Sequence, residues 1–267
     1  MNMVCRPRDA ALSSSSREGY LPWGSAVADV PPVRASFENL ALLADRLTPA
    51  AGDLIGVLLA SAIPAQNRGC EVLRPLWTEE AVHRALGFMR LVDARKRRGQ
   101  STKQNPIAAE LEDFAARDLA VRFRQLQSGA ERAVMPCAPV LRDIVTDLGV
   151  VFACPANIAL KTKIDRVSLP AYKRRALVLA ACELLCNALL HAFPRHDAGL
   201  IEVCLTHRGP KSACLRVADS GIGFSDTRPN LTFGVAASLA GLLEADLAYD
   251  RAAGWTIAEI IFPVTGM

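Results

Sequence analysis

The hydrophobic period of this chain changes near residue 150, and that change limits the fold more than any other feature. Before it, apolar residues recur at helical spacing, with breaks at Pro49, Pro64, Pro106, Pro136 and Pro139. In that region Thr78-Glu79-Glu80 predicts a helix start, a capping hydroxyl followed by early acids, for a helix running to about Arg97. A second long helix is expected over 106–133 and a short one over 140–148. After it, Ile158-Ala-Leu160-Lys-Thr162-Lys-Ile164 alternates as a strand does, and Ser168 with Pro170 is expected to open a long helix reaching Phe193. Strands are expected over 201–206 and 213–218, around the turn His207-Arg-Gly-Pro210. A helix over 234–243, a strand over 246–250, the turn Ala252-Ala-Gly254 and a strand over 255–262 close the chain. Helices on one face of a mostly antiparallel or mixed sheet make an α/β two-layer sandwich. The fold class is therefore α+β, with a helical domain over 36–135 and the sandwich over 138–267. Residues 1–35, rich in Ser, Pro and Gly and without periodicity, are expected to form a flexible tail.

Composition narrows the function classes. With 51% apolar and 22% charged residues, 267 residues can build two modest cores without covalent staples. The eight cysteines contain no C-x-x-C pair and no histidine at zinc-ligand spacing, so they read as reduced packing residues of a cytoplasmic protein. No apolar run reaches the roughly 18–20 residues of a membrane span, and the opening segment has no signal-peptide core. The densest basic cluster, Arg95-Lys96-Arg97-Arg98, falls at a predicted helix end where cations complement the helix dipole, and without interleaved aromatics it argues against nucleic-acid binding.

The chemistry concentrates in Glu183-Leu-Leu-Cys-Asn187-Ala-Leu-Leu-His191-Ala-Phe-Pro and, after a hairpin, Asp219-Ser-Gly221-Ile-Gly223-Phe. On a helix, positions four and eight apart share one side and rise over about 12 Å, so Glu183, Asn187 and His191 form a polar rail the length of a magnesium-bound triphosphate. Leu184, Leu185, Ala188 and Leu189 surround the rail, unlike the broad wet side of an ordinary amphipathic helix. Mg²⁺ takes few protein oxygens plus phosphates, a role that suits the amide of Asn187. His191 could donate to a phosphate oxygen, and Glu183 could orient or deprotonate the attacking group. Asp219 at a strand end offers an acceptor to an adenine amine, with Gly221 and Gly223 letting backbone approach the base. The expected ligands are ATP and Mg²⁺.

These motifs, with Gly199-Leu-Ile-Glu-Val and the closing Gly254-Trp-Thr-Ile-Ala-Glu-Ile-Ile-Phe-Pro263, make roughly 138–264 resemble the ATPase fold shared by sensor histidine kinases, DNA gyrase and MutL. They are similar in particular to the histidine kinases whose phosphoacceptor is followed by arginine. That fold uses no Walker loop, and no G-x-x-x-x-G-K-[ST] occurs in the chain. The resemblance implies Asn187 as magnesium ligand, Glu183 as catalytic acid/base, His191 near phosphate, and Asp219, Gly221 and Gly223 at adenine. It also implies a dimerising helical hairpin ahead of the sandwich. Where the family has a second G-x-G, this chain has Thr232-Phe233-Gly234, after a short lid at 225–231; Gly234 still opens a helix whose amides suit an anion.

Of four histidines, only His83 lies in the helical region, followed by Arg84 near the start of a long helix, beside an apolar seam of Val82, Leu86 and Met89. It is the candidate phosphoacceptor, because neutral imidazole is nucleophilic and phosphoryl transfer mainly needs positioning. The following Ala-Leu-Gly-Phe-Met lacks the family's Lys-Asn pattern. The expectation is a homodimeric, cytoplasmic kinase that moves the γ-phosphoryl of ATP to His83 and on to a response-regulator receiver aspartate, with input from an upstream sensory partner. Two alternatives stay open: an anti-sigma-type serine/threonine kinase, and a scaffold or phosphotransfer protein that has lost productive ATP use.

Overall fold

The computed structural model describes residues 74–97, 106–126, 133–153, 156–194, 198–223 and 234–264. The expected tail, the breaks at Pro49 and Pro64, the lid at 225–231, Thr232 and Phe233 lie outside the described residues.

Helix α1 spans Arg74–Arg97 and helix α2 spans Pro106–Gln125. α1 begins four residues before the expected start: Pro75 sits in its first turn, where a missing N–H costs nothing. Glu80 is therefore not an N-terminal acid but a mid-helix residue, only 2% exposed. Trp77, Ala81, Ala85 and Phe88 recur at helical spacing and are all buried. Through them α1 lies along the sandwich's long helix rather than standing clear of it.

Strand β1 (Val134–Pro136) leads into α3 (Ala138–Leu148), whose Leu141, Ile144, Val145 and Leu148 make one buried stripe. A π-helical turn, Gly149–Ala153, follows α3. Arg122 of α2 forks onto α3, with Nε donating to Asp147 and Nη1 to Asp143, each at 2.7 Å. Phe88 stands 5.6 Å from Phe152 and 6.2 Å from Phe123, so one aromatic node ties α1, α2 and the π turn together.

Next come β2 (Ile158–Ile164), β3 (Ser168–Pro170), α4 (Ala171–His191), β4 (Gly199–Gly209), β5 (Ser212–Asp219), α5 (Val235–Leu242), β6 (Leu247–Ala252) and β7 (Trp255–Pro263). Pro170 is the N-cap of the long helix, as expected, whereas Ser168 lies ahead of it. They form a strand paired with β1, Met135 opposite Leu169, and the helix starts one residue later. The main sheet runs β2-β4-β5-β7-β6, with β2 parallel to β4 and the other pairs antiparallel.

Register sorts the sheet's faces. Val203 pairs with Val217 and Leu205 with Leu215, all buried on the helix-covered side. Glu202, Arg216 and Glu259 alternate to the other side, where Arg216 lies 3.8 Å from Glu202 and 3.7 Å from Glu259. α4 packs against β4 and β5 below and against α1 and α5 above, so it is apolar nearly all round. Its few polar positions therefore need a chemical reason. The fold is α+β: N-terminal helices followed by an α/β sandwich of ATPase type, sharing one contiguous buried cluster.

Candidate functional site

The rail of α4 grades from inside to outside. Glu183 is buried, Asn187 half-buried and His191 exposed. Asn187 Nδ2 donates to Glu183 Oε1 at 3.1 Å. That bond orients the amide so that its Oδ1, a hard oxygen of the kind Mg²⁺ takes, is left for another partner. The donor set thus fits one magnesium ligand from the protein.

The second oxygen of Glu183 meets α1. His83 Nδ1 lies 3.1 Å from Glu183 Oε2, and the imidazole is 47% exposed. One buried carboxylate thereby joins the candidate phosphoacceptor to the candidate metal ligand. The bond to Glu183 raises the His83 pKa above its ordinary value against the opposing pull of burial. A histidine whose folded pKa is raised contributes stability that is complete below its unfolded value near 6.5 and lost as pH climbs through the folded value. The melting-temperature gap between wild type and His83→Gln is therefore expected to be widest below that value and to narrow above it. A gap that stays constant across the range would show that the pair contributes nothing.

The other wall is the end of β5. Asp219 pairs with Ile201 in the sheet register, which puts it on the covered face with Val217 and Leu215. Burial raises its pKa, against the Gly221 N–H, which donates to Asp219 Oδ1 at 3.0 Å. The turn then lies on the end of α4, where the Ile222 N–H donates to the carbonyl of Ala192 at 2.9 Å. A Cβ on Gly221 would collide with that same carbonyl. Gly223 has φ +75, and Arg251 of β6 sits beneath it, donating from Nη2 to the Ile222 carbonyl at 3.3 Å. Since Ala192 follows His191 directly, the acidic corner and the rail occupy the same end of the sandwich. Gly234 precedes α5 as its N-cap, and its carbonyl accepts the Ser238 N–H at 3.0 Å.

Sequence reasoning missed three contributors. Tyr249 of β6 is near enough to Glu183 for the carboxylate, after burial, to raise its pKa. Arg251 braces the glycine turn, and Ala192 receives it. Nothing in their spacing marks them, because β6 reaches the turn only through the sheet order. Arg84, the residue after His83, is buried: its Nε lies 3.1 Å from Glu80 Oε1, and its guanidinium stacks 4.2 Å over the ring of Phe123.

A mixed sheet covered by an apolar helix with an embedded Glu-Asn-His rail, facing an Asp-Gly corner, defines an ATPase-type sandwich without a Walker loop. Residues 156–254 match the family model of the histidine kinase-like ATPase domain. Among solved structures, the chain resembles the histidine kinase domain of the blue-light activated histidine kinase from Erythrobacter litoralis EL346. Identity there is 18%, the match covers 79% of this chain and 95% of that one, and the TM-score is 0.53. The Acinetobacter baumannii histidine kinase AdeS matches at 13% identity over 88% of this chain and 98% of its own, with a TM-score of 0.44. The first of these likenesses supports the fold. No curated protein matches the chain in sequence. No described helix is long and apolar enough to cross a membrane.

Proposed function

We propose that this chain is a cytoplasmic, ATP-dependent protein histidine kinase that phosphorylates His83 and passes the phosphoryl group to an aspartate of a response-regulator receiver domain. The observation that carries this reading is the contact of the His83 imidazole with Glu183, the residue that also fixes Asn187. Asp219, with Gly221 and Gly223, would seat the adenine; His191 and the Gly234 end of α5 would face the phosphates. Magnesium, held through Asn187, would neutralise charge on the transferring phosphates. Glu183 would hold the His83 Nδ1 proton and so leave the other ring nitrogen as nucleophile.

An exposed apolar face on α2 supports a homodimer. Leu111, Phe114 and Val121 lie on that face and are 54%, 63% and 41% exposed. The upstream sensory partner follows from the class of protein proposed.

Purified protein incubated with γ-labelled ATP and magnesium is expected to acquire acid-labile, base-stable label that His83→Gln abolishes. Acid-stable label on an added partner would favour the serine/threonine alternative, and no nucleotide binding would favour the scaffold. Binding itself reads out thermally. Nucleotide at a hundredfold excess over its dissociation constant stabilises the folded state by about 2.7 kcal/mol, a clear rise in melting temperature that Asp219→Ala is expected to erase.

A further inference from the structure

We infer that autophosphorylation occurs in cis: the His83 that receives the phosphoryl group belongs to the same chain as the Glu183 and Asn187 that serve it. This rests on the kinase reading above and extends it. α1 is a packed part of its own sandwich. Trp77, Ala81, Ala85 and Phe88 are buried along α4 and its neighbours, and Arg175 of α4 stacks its guanidinium 4.2 Å over the Trp77 ring. The Glu80–Arg84 pair is sealed in the same seam, with side chains 3% and 5% exposed. His83 sits at the edge of that seam with Nδ1 already 3.1 Å from Glu183 of its own chain. To present His83 to a partner's catalytic rail, α1 would have to leave its groove. That would expose two large aromatic rings and separate a buried carboxylate and guanidinium from the apolar surroundings that enclose them. Transfer in cis needs none of this.

The step balances within one chain. The neutral ring keeps its proton on Nδ1, bonded to Glu183, and the Nε2 lone pair attacks the γ-phosphorus. A nitrogen–phosphorus bond forms as the bond from the γ-phosphorus to the bridging oxygen breaks and ADP leaves. The Nδ1 proton stays on the ring or passes to the Glu183 carboxylate. With Nδ1 occupied and the ring half exposed, Nε2 is the atom left for both the nucleotide and a later aspartate.

Two chains separate cis from trans. His83→Gln, which keeps its nucleotide site, is co-expressed with Asp219→Ala, which keeps its histidine, each under its own affinity tag. Both variants are checked for a folded melting transition, and the mixture is incubated with γ-labelled ATP and magnesium beside wild type. The expected result is label on wild type and none on either variant. Label on the Asp219→Ala chain overturns the cis inference while leaving the kinase reading intact. Absence of label from wild type removes both.

Discussion

Replacing Gly221 by alanine is expected to abolish nucleotide binding and to destabilise the protein by about 1–3 kcal/mol, the usual cost of forcing atoms into a filled space. The new Cβ would fall on the carbonyl of Ala192, which is backbone and already accepts the Ile222 N–H, so no side-chain rotation relieves the collision. Either the turn lifts off α4 or the end of α4 shifts, and both separate Asp219 from the His191 end of the rail. The measurement is a pair of melting curves with and without ATP. An alanine variant that melts like wild type and still gains the ATP-induced rise would sink the proposed role of this turn.

The second large effect concerns the pair inside the α1 groove. Arg84→Met leaves Glu80 as an unpaired acid in apolar surroundings and is expected to cost about 3–5 kcal/mol. The variant also removes the stack on Phe123. Changing both residues, Glu80→Leu with Arg84→Met, is expected to restore most of the loss or to exceed wild type, because two buried charges are then replaced by packing. Burial already raises the Glu80 pKa, more than Arg84 and Arg175 lower it. A carboxyl whose folded pKa lies above its unfolded value takes up protons on folding, so acid relieves its cost. The deficit of the single variant should therefore shrink as pH falls toward the protonation of Glu80. Denaturant midpoints across pH provide the check; a double variant as unstable as the single one would refute the account.

The sandwich was largely legible in the sequence because its signals are local. β2 coincides with the alternating run at 158–164, and β6 and β7 flank the expected turn, where Ala253 and Gly254 take φ of 51 and +82. The rail was legible because the four-residue spacing of Glu183, Asn187 and His191 stands out in a helix that is apolar elsewhere. What escaped depends on distant partners. Ser168 to Pro170 looks like only a helix opening until β1, more than thirty residues earlier in the chain, is known to pair with it. Glu80 beside Thr78 looks like a cap signal, and only the docking of α1 on α4 makes it a buried ion pair. The same docking brings His83 to Glu183, 100 positions apart, a contact no local period could encode. α2 ends at Gln125 rather than near 133, and the six residues 127–132 lie outside the described residues.

The outer border of the sheet bears on how copies of this chain can meet. Among the described residues β2 pairs on one side only, with β4, and its exposed Lys161 and Lys163 stud the other border. Two such borders brought together would set ammonium groups against one another, a common guard against runaway strand-to-strand stacking. Pairing of two copies through this border is thereby disfavoured.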